Sequence, residues 1–418
     1  MHFNSLNNQQ NTKMKTDSCF FEDHFLENFH PLTLTRPLYD LRVGILTLGE
    51  KWMHALGQPD ITTKGVLRGH LKDVFEEVII TDPHQNVLWI NPRFIPNSEL
   101  IREIKKLNAS EGIYIDQQLA VALVGSEIHQ KWIHSGPKKD DLKTAKFFDR
   151  GVSEIKNSWE LFQLNGKEII NDIQLLKAPA VKEIDKYPHA LLINSEQIFI
   201  EQGAIIEPGA LLYAEKGPIY IGKNAHIMAN SVVRGPSAIC AQSVVKMGAK
   251  IYEETTIGPV CKVGGEISNV IFHSYSNKSH DGYVGNSVFG QWCNLGADTN
   301  TSNLKNNYST VKVVEWKTKK EVDTGQQFIG TIMGDHSKTG INSMLNTGTI
   351  CGVCCNLFSD SYPPKFVPSF SWVSGNNIVP YHFEKAIEAM DKMMQRRDVI
   401  LSPAYKSMMK AIFQSTSF

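Results

Sequence analysis

The sequence predicts a two-part chain, an α/β region followed by a parallel β-helix of hexapeptide repeats. Three observations carry that prediction. Aliphatic residues return every sixth position, as Ile200, Ile206 and Leu212. After a slip at Lys216-Gly217-Pro218 they resume as Ile221, Ile227, Val233, Ile239, Val245, Ile251, Ile257 and Val263. Small or turn-forming residues fill much of the space between, including Gly203, Gly209, Gly222, Ala225, Ala229, Gly235, Ala238, Gly248 and Gly258. Before Pro179, strand-like and helix-like stretches alternate instead. A helix turns once in about 3.6 residues and rotates a six-residue beat off any one face. An antiparallel strand alternates every second residue between hairpin turns. One short strand and one turn per hexad, stacked rung on rung, keeps every beat residue in one narrow core.

The chain has 418 residues, enough for two cores. It is 42% apolar and 21% charged with a formal net charge of zero, so no overall basic field argues for nucleic acid or an anionic membrane. No apolar run is long enough to span a bilayer. Residues 1–17 are rich in Asn and Gln, lack a hydrophobic signal core, and are expected to form a disordered leader. Seven cysteines without a regular framework favour a reducing interior and a cytoplasmic protein. Cys351, Cys354 and Cys355 resemble half of a zinc site, but no second pair follows at suitable spacing, and packing in a narrow core is the better account. The expected divisions are the leader, an α/β domain over 18–180, a linker over 181–190, the β-helix over 191–362 and a helical cap over 363–418.

Within the α/β region a helix is expected over 42–56, with Ile45, Leu46, Leu48 and Trp52 apolar. Strands are expected over 77–81, 87–90, 113–115 and 120–123, and helices over 99–107 and 157–164. Alternation of this kind implies a parallel or mostly parallel sheet, which binds ligands outside the carboxyl ends of its strands. In the solenoid the beat breaks at Gly264, and a polar excursion over 302–328 contains Lys312, Lys317, Lys319 and Lys320. It forms either part of a binding site or a solvated hairpin with 310–316 as one strand. Leu345, Cys351 and Leu357 restore the beat, and Pro363-Pro364 ends it. Beyond Tyr381, the spacing of Phe383, Ile387, Met390, Met393 and Met394 is helical, and 404–413 offers a second helix, suited to cap the open end of the solenoid.

Two stretches resemble known families. Pro31-Leu32-Thr33, Thr35-Arg36-Pro37 and Asp40-Leu41-Arg42 resemble the opening motif of sugar-nucleotide pyrophosphorylases, in a short branch fused to a hexapeptide-repeat domain. That resemblance implies a nucleotide-binding site with Thr33, Arg36 and Arg42, since a guanidinium fork meets two phosphate oxygens together. The Gly-rich loop of the family is absent, with Phe21-Glu22-Asp23 about where it should stand. No Gly-Asp pair follows a strand to hold Mg²⁺. Asp23, Asp82 and Asn91 are the substitutes, and the metal ligands stay unassigned.

The second stretch carries His280, Tyr283, Gly285, Asn294, Gly296, Ala297 and Asn303. Their spacing resembles the acetyltransferase half of the bifunctional glucosamine-1-phosphate acetyltransferase/N-acetylglucosamine-1-phosphate uridyltransferase family. The resemblance implies a left-handed β-helix, a homotrimer with sites between neighbouring solenoids, and acetyl-CoA as co-substrate. It implies His280 as general base and Glu266, Lys278, Tyr283 and Asn294 as substrate-binding residues. Gly296, Ala297 and Asn303 would lie at acetyl-CoA. An imidazole of ordinary pKa about 6.5 suits the proton released as an amine becomes an amide. A backbone N–H in the Gly296-Ala297 turn suits the oxyanion. Ser268 stands where the family has a phosphate-binding Lys, and Lys246, Lys250 and Tyr252 lie nearest to where it has an Arg; Lys262, Lys278 and Lys338 are alternative charges.

The implied function is sugar-nucleotide biosynthesis. Acetyl passes from acetyl-CoA to the amine of glucosamine-1-phosphate or a related amino sugar, and a nucleotidyl group passes from UTP or another NTP, with Mg²⁺. The alternatives are one activity alone, or a trimeric scaffold that binds nucleotide-sugars without turnover. A zinc carbonic anhydrase, built on His273, His280 and His336 across a trimer interface, leaves Asn294 and Asn303 without a role.

Overall fold

The computed structural model describes residues 17–78, 85–177, 186–375 and 377–416. The leader (1–16), the first half of the expected linker (181–185) and positions 79–81 of the expected strand over 77–81 lie outside the described residues.

The first region is built on a five-stranded sheet of β1 (Asp17–Phe20), β2 (Val87–Ile90), β3 (Glu111–Ile115), β4 (Gln118–Val124) and β5 (Thr144–Phe147), in the order β1-β2-β4-β3-β5. The sheet is mixed, which corrects the expectation of a mostly parallel one. β1 runs parallel to β2 and β3 to β5, whereas β4 is antiparallel to both of its neighbours. The cause is a two-residue hairpin turn, Asp116-Gln117, with φ of 45° and 63°. Such mirror-image turns match the twist of their strands and usually carry Asn-Gly or Asp-Gly, so Asp-Gln gave no signal.

Helix α1 (Leu48–Ala55) is shorter than the apolar spacing predicted, because Thr47 and Glu50 form a capping box that starts it there. Residues 42–47 turn back on themselves, Val43 N–H donating to Leu46 O at 3.2 Å. Gly44 sits in this turn at φ 77°, where an added Cβ would stand 2.5 Å from an Asp172 carboxylate oxygen. α2 (Ser98–Ile104) starts on an Asn97 cap, and α3 (Ser126–Ser135) was not foreseen. α4 (Glu160–Leu176) runs well beyond the expected 157–164.

The second region is a three-faced parallel β-solenoid. Ile221, Ile239 and Ile257 are register partners on one face, Ile227, Val245 and Val263 on the next, and Leu212, Val233, Ile251 and Ile267 on the third. All of these side chains are buried in one continuous cluster. The expected break at Gly264 is a shortening of the rung instead. Glu266–Ser274 and Tyr283–Gln291 are single strands bent across two faces, and the core continues through Phe272 and Phe289, whose rings stack at 4.8 Å. The excursion over 302–328 contains a hairpin, Lys312–Val314 against Glu321–Asp323, with Val311 and Val313 buried beside Ile332 and Ile350.

The two regions share cores. Leu32, Leu38, Val43 and Phe162 pack with Ile271, Val288 and Ile332, while Ile45 and Ile169 pack with Tyr220 and Ala238. α5 (Phe383–Gln395) and α6 (Pro403–Ser415) bury Met390, Met408 and Ile412 against Val353 and Phe370 of the solenoid and against Leu71 and Phe20 of the first region. They wedge into the flank between the two bodies, rather than closing the solenoid's end. Their apolar stripes pack there against residues of both bodies, and the chain turns towards that flank through the hairpin Ser371–Ser374/Asn377–Pro380.

Candidate functional site

Three residues that the sequence assigned to nucleotide binding lie inside the junction of the two regions. Arg36 is 2% exposed. Its guanidinium donates to Asp40 Oδ2 at 2.8 Å and to Asp335 Oδ2 across the junction. Thr35 Oγ1 also donates to Asp335, at 2.8 Å, and Gln291 N–H donates to its other oxygen at 2.8 Å. Arg42 Nε donates to the His273 carbonyl at 3.1 Å, and its Nη1 to the Ile45 carbonyl. Thr33 is fully buried and bonds the His30 ring at 2.8 Å. The cavity beside Arg36 and Arg42 holds about 10 Å³, room for about one water. Arg36 and Arg42 fasten the first region to the solenoid, Thr33 bonds within the first region, and the cavity beside the two arginines has no room for a triphosphate. His273 completes the junction, its Nε2 donating to the Asp40 carbonyl at 2.6 Å. Burial, and then the Arg36 and Arg42 charges, push its pKa well below the ordinary 6.5.

Of the side chains considered for Mg²⁺, Asp23 and Asn91 are already engaged with each other and with Arg93. Asp23, about where the Gly-rich loop should stand, accepts from Arg93 Nε at 2.9 and 3.0 Å and from Asn91 Nδ2 at 2.8 Å. A buried guanidinium already neutralises the carboxylate a metal would need. Asp82 lies outside the described residues. Among the described residues no group of three or more His, Cys, Asp or Glu side chains is placed to hold a metal ion. His336 bonds the Tyr405 hydroxyl at 2.9 Å, far in role from exposed His280, and the cysteines are all buried as free thiols.

The residues of the second motif gather around one corner of the solenoid. The corner joins the face of Lys262–Val263 and Asn277–Lys278 to the face of Lys250–Ile251 and Tyr283. An open groove of about 560 Å³ runs along it, lined by Lys246, Met247, Gly264, Gly265, Ser279, His280, Asp281, Ala297 and Asp298. His280 is exposed and Ala297 stands one rung away. On the adjoining face Glu266 is the register partner of Tyr283, and Asn303 Nδ2 lies 3.0 Å from the Tyr283 hydroxyl and 2.7 Å from Asn286 Oδ1. That approach requires Gly285, since a Cβ there would stand 2.3 Å from the hydroxyl. Asn294 is on the other adjoining face, 3.5 Å from Asn277 Nδ2, and does not line the groove. Gly296 donates its N–H to Thr339 Oγ1 at 3.0 Å and packs against the Gly340 backbone, so it serves the rung stacking.

Lys278 is placed differently from the sequence expectation of a substrate-binding residue. It occupies an inward position of the beat, in register with Val263, and is fully buried. Its ammonium reaches back to the corner, donating to the carbonyls of His280 and Asp281, both at 2.6 Å. Burial lowers its pKa to about 8, against the opposing pull of Asp281 and Asp298. Sequence reasoning missed Asp281, Asp298 and Met247, which share the corner with no sequence pattern of their own.

Residues 18–180 match the model of a family described as sugar nucleotidyl transferase. The bifunctional protein GlmU of Synechococcus elongatus is 24% identical over 238 residues, 51% of this chain and 48% of its own length. That of Methanocaldococcus jannaschii is 36% identical over 105 residues, 25% of this chain and 24% of its own. Among solved structures, a mutant of the N-acyltransferase AntD from Bacillus cereus aligns with 52% of this chain and 96% of its own at 13% identity, with a TM-score of 0.23. The chain spans about half the length, or less, of these curated relatives. Residues 18–180 are thus similar to the sugar nucleotidyl transferases, ahead of a β-solenoid, and parts of the chain are similar to bifunctional GlmU proteins.

Proposed function

We propose that the chain is a transferase of amino-sugar nucleotide biosynthesis whose solenoid groove moves an acetyl group from acetyl-CoA to the amine of glucosamine-1-phosphate or a related amino sugar. The observation that supports this most is the corner itself, where His280 and Ala297 share an open groove beside Tyr283, Asn303 and Glu266. In the reaction the neutral amine attacks the thioester carbonyl, and His280 takes the proton the nitrogen releases. The C–S bond breaks, and that proton leaves with the thiolate as free CoA thiol. Because Gly296 N–H is engaged, Ala297 is the one of the pair left to offer its N–H to the tetrahedral oxyanion. Asp281 and Asp298 attract the amino sugar to the groove.

The sugar nucleotidyl transferase match supports nucleotidyl transfer from UTP or another NTP in the first region. A second reading, acetyl transfer alone, is favoured by the Arg93–Asp23 pairing, which occupies one of the three side chains considered as substitutes for the missing metal ligands. The homotrimer belongs to the same proposal. Met247 at the groove and Ile341 near the same corner are 64% and 72% exposed, and a neighbouring solenoid would cover them. No described helix is long and apolar enough to cross a membrane, and the protein is proposed to work in the cytoplasm with small-molecule substrates only. Purified protein with acetyl-CoA and glucosamine-1-phosphate should release thiol. UTP and Mg²⁺ added afterwards should then yield pyrophosphate if both activities are present, and no pyrophosphate would leave the second reading. No thiol with any amino-sugar phosphate would refute the acyl-transfer proposal.

Lys278 gives this proposal a sharper test. Lys278→Met keeps the volume of the core, removes a buried charge, and frees the two corner carbonyls to water. Apolar replacement of a buried charge is often neutral or stabilising, so the denaturation midpoint should hold or rise. Loosening a catalytic corner can cost up to about 10²-fold, and kcat is expected to fall at least about tenfold. The sign of the pH effect follows from the depressed pKa. Between about 8 and the ordinary 10.5 the unfolded chain binds more protons, so this lysine makes wild-type stability rise with pH in that window. The variant should lose that rise. Unchanged kcat in the variant would mean the ammonium does not hold the corner.

A further inference from the structure

Next to the groove lies a strip of positive charge whose members form no ion pair among the described residues. Lys262 points outward from the solenoid face, directly alongside Asn277 in register. Arg397, two residues past the end of α5, donates Nη2 to Asn277 Oδ1 at 2.8 Å, with Arg396 beside it. Lys246, one residue past the rung Val244–Val245, lines the groove with His280. Asn277 bridges in turn to Asn294, so amide side chains continue the column. Among the described residues, none of these four cations lies within ion-pair distance of a carboxylate. Other cations of this chain are matched: Arg36 pairs with Asp40 and Asp335, Lys51 with Glu168 and Asp172, Arg93 with Asp23 and Glu154 and Arg234 with Glu253, while buried Arg42 and Lys278 donate to backbone carbonyls.

Four like charges brought together by two separate elements repel one another, and a folded protein keeps such an arrangement at a cost. The crowding is visible in Lys262, whose pKa is lowered first by burial and then by Arg397, Lys246 and Arg396. Lys246, Lys262 and Arg397 are half-buried and Arg396 is exposed, so the strip offers guanidinium forks and amine point charges with neutral amide donors beside them. These suit a compact multivalent anion better than a scattered one.

We propose that the strip of Lys246, Lys262, Arg396 and Arg397 seats the diphosphate group of a ligand whose other end lies in the groove at His280. The direction follows from the charges. Asp281 and Asp298 line the groove and repel phosphate while attracting an amine, so phosphate belongs at the strip. A diphosphate reaches the site from two chemical sources, the nucleotide portion of CoA or a nucleotide-sugar acceptor. The inference rests on the acyl-transfer proposal for the ligand's identity, but not for the existence of the seat.

Binding tests it without turnover. The intact wild-type protein, Arg397→Ala and Lys262→Ala would be titrated calorimetrically with CoA in one arm and UDP in the other, at low and high salt. Each substitution is expected to weaken whichever ligand binds by about tenfold, in line with the loss of one charge-assisted contact. Added salt should narrow the difference between wild type and variants. Binding of CoA alone assigns the strip to the acyl donor, and binding of UDP alone to a nucleotide-sugar acceptor. If wild type binds neither, or both variants bind as wild type does, the seat does not exist. Lys262→Ala removes no hydrogen bond described within the fold, so it carries the test should Arg397→Ala unfold. A protein that binds through the strip yet releases no thiol would keep this inference and lose the acyl-transfer proposal. Thiol release with unchanged binding in both variants would do the reverse.

Discussion

His280→Ala is expected to lower kcat for acetyl transfer by about 10²–10⁴-fold while leaving the fold and ligand binding close to wild type. The size follows from what the side chain is asked to do. An attacking amine becomes far more acidic as its bond to the carbonyl forms, and a positioned base that accepts the proton then lowers the barrier. Placement makes the effect separable from stability. His280 is exposed on the corner, and its ring packs in none of the buried clusters. The corner is held by backbone and by Lys278, whose bonds reach the His280 and Asp281 carbonyls and so survive the substitution. KM for both substrates should therefore change little, because Tyr283, Asn303, Lys246 and the aspartates remain. Thiol release under saturating acetyl-CoA, with the denaturation midpoint measured on the same sample, makes the comparison. Acetylation at the wild-type rate would show that solvent takes the proton, and the role assigned to His280 would fall.

The solenoid was legible because its core repeats one demand at every sixth residue. Each rung must send one aliphatic side chain inward, and Ile221, Ile239 and Ile257 answer it with the same residue in register. Legibility failed where one residue broke the demand for a reason beyond packing. Lys278 holds an inward position and looked like a substrate ligand, since nothing in a sequence says that an amine will turn back to two carbonyls. The Pro-Leu-Thr and Thr-Arg-Pro segments were legible as a motif, but their role was not. Asp335, which holds Arg36, lies about three hundred residues away in sequence, and no local pattern points to it. The sheet of the first region was misjudged at a single turn, where Asp116-Gln117 takes a conformation usually reserved for glycine-containing pairs. Arg397 was invisible for the same reason as Asp335. Its partner Asn277 is supplied by a distant rung.

Arg36→Ala is expected to destabilise the whole protein by about 3–5 kcal/mol, the cost of leaving one partner of a buried ion pair alone. Asp335 is 1% exposed and would retain only Thr35 Oγ1 and the Gln291 N–H as donors. Neither carries charge, so the carboxylate would sit in the junction without a cation, and Asp40 would lose its closest one. The loss should be felt in both regions together, because the core around Leu32 and Leu38 includes Ile271, Val288 and Ile332 of the solenoid. A single cooperative transition, shifted to lower denaturant, is the expected observation. Asp335→Asn added to the same chain removes the orphaned charge and should recover part of the loss, a coupling that a surface pair would not show. The competing role for Arg36, a triphosphate ligand, predicts the opposite pattern. Stability would hold while UTP binding weakened, as it does when a side chain that meets only a ligand is removed. Equal denaturation midpoints for Arg36→Ala and wild type would therefore overturn the junction role, and a fall restored by Asp335→Asn would establish that this arginine holds the two regions together.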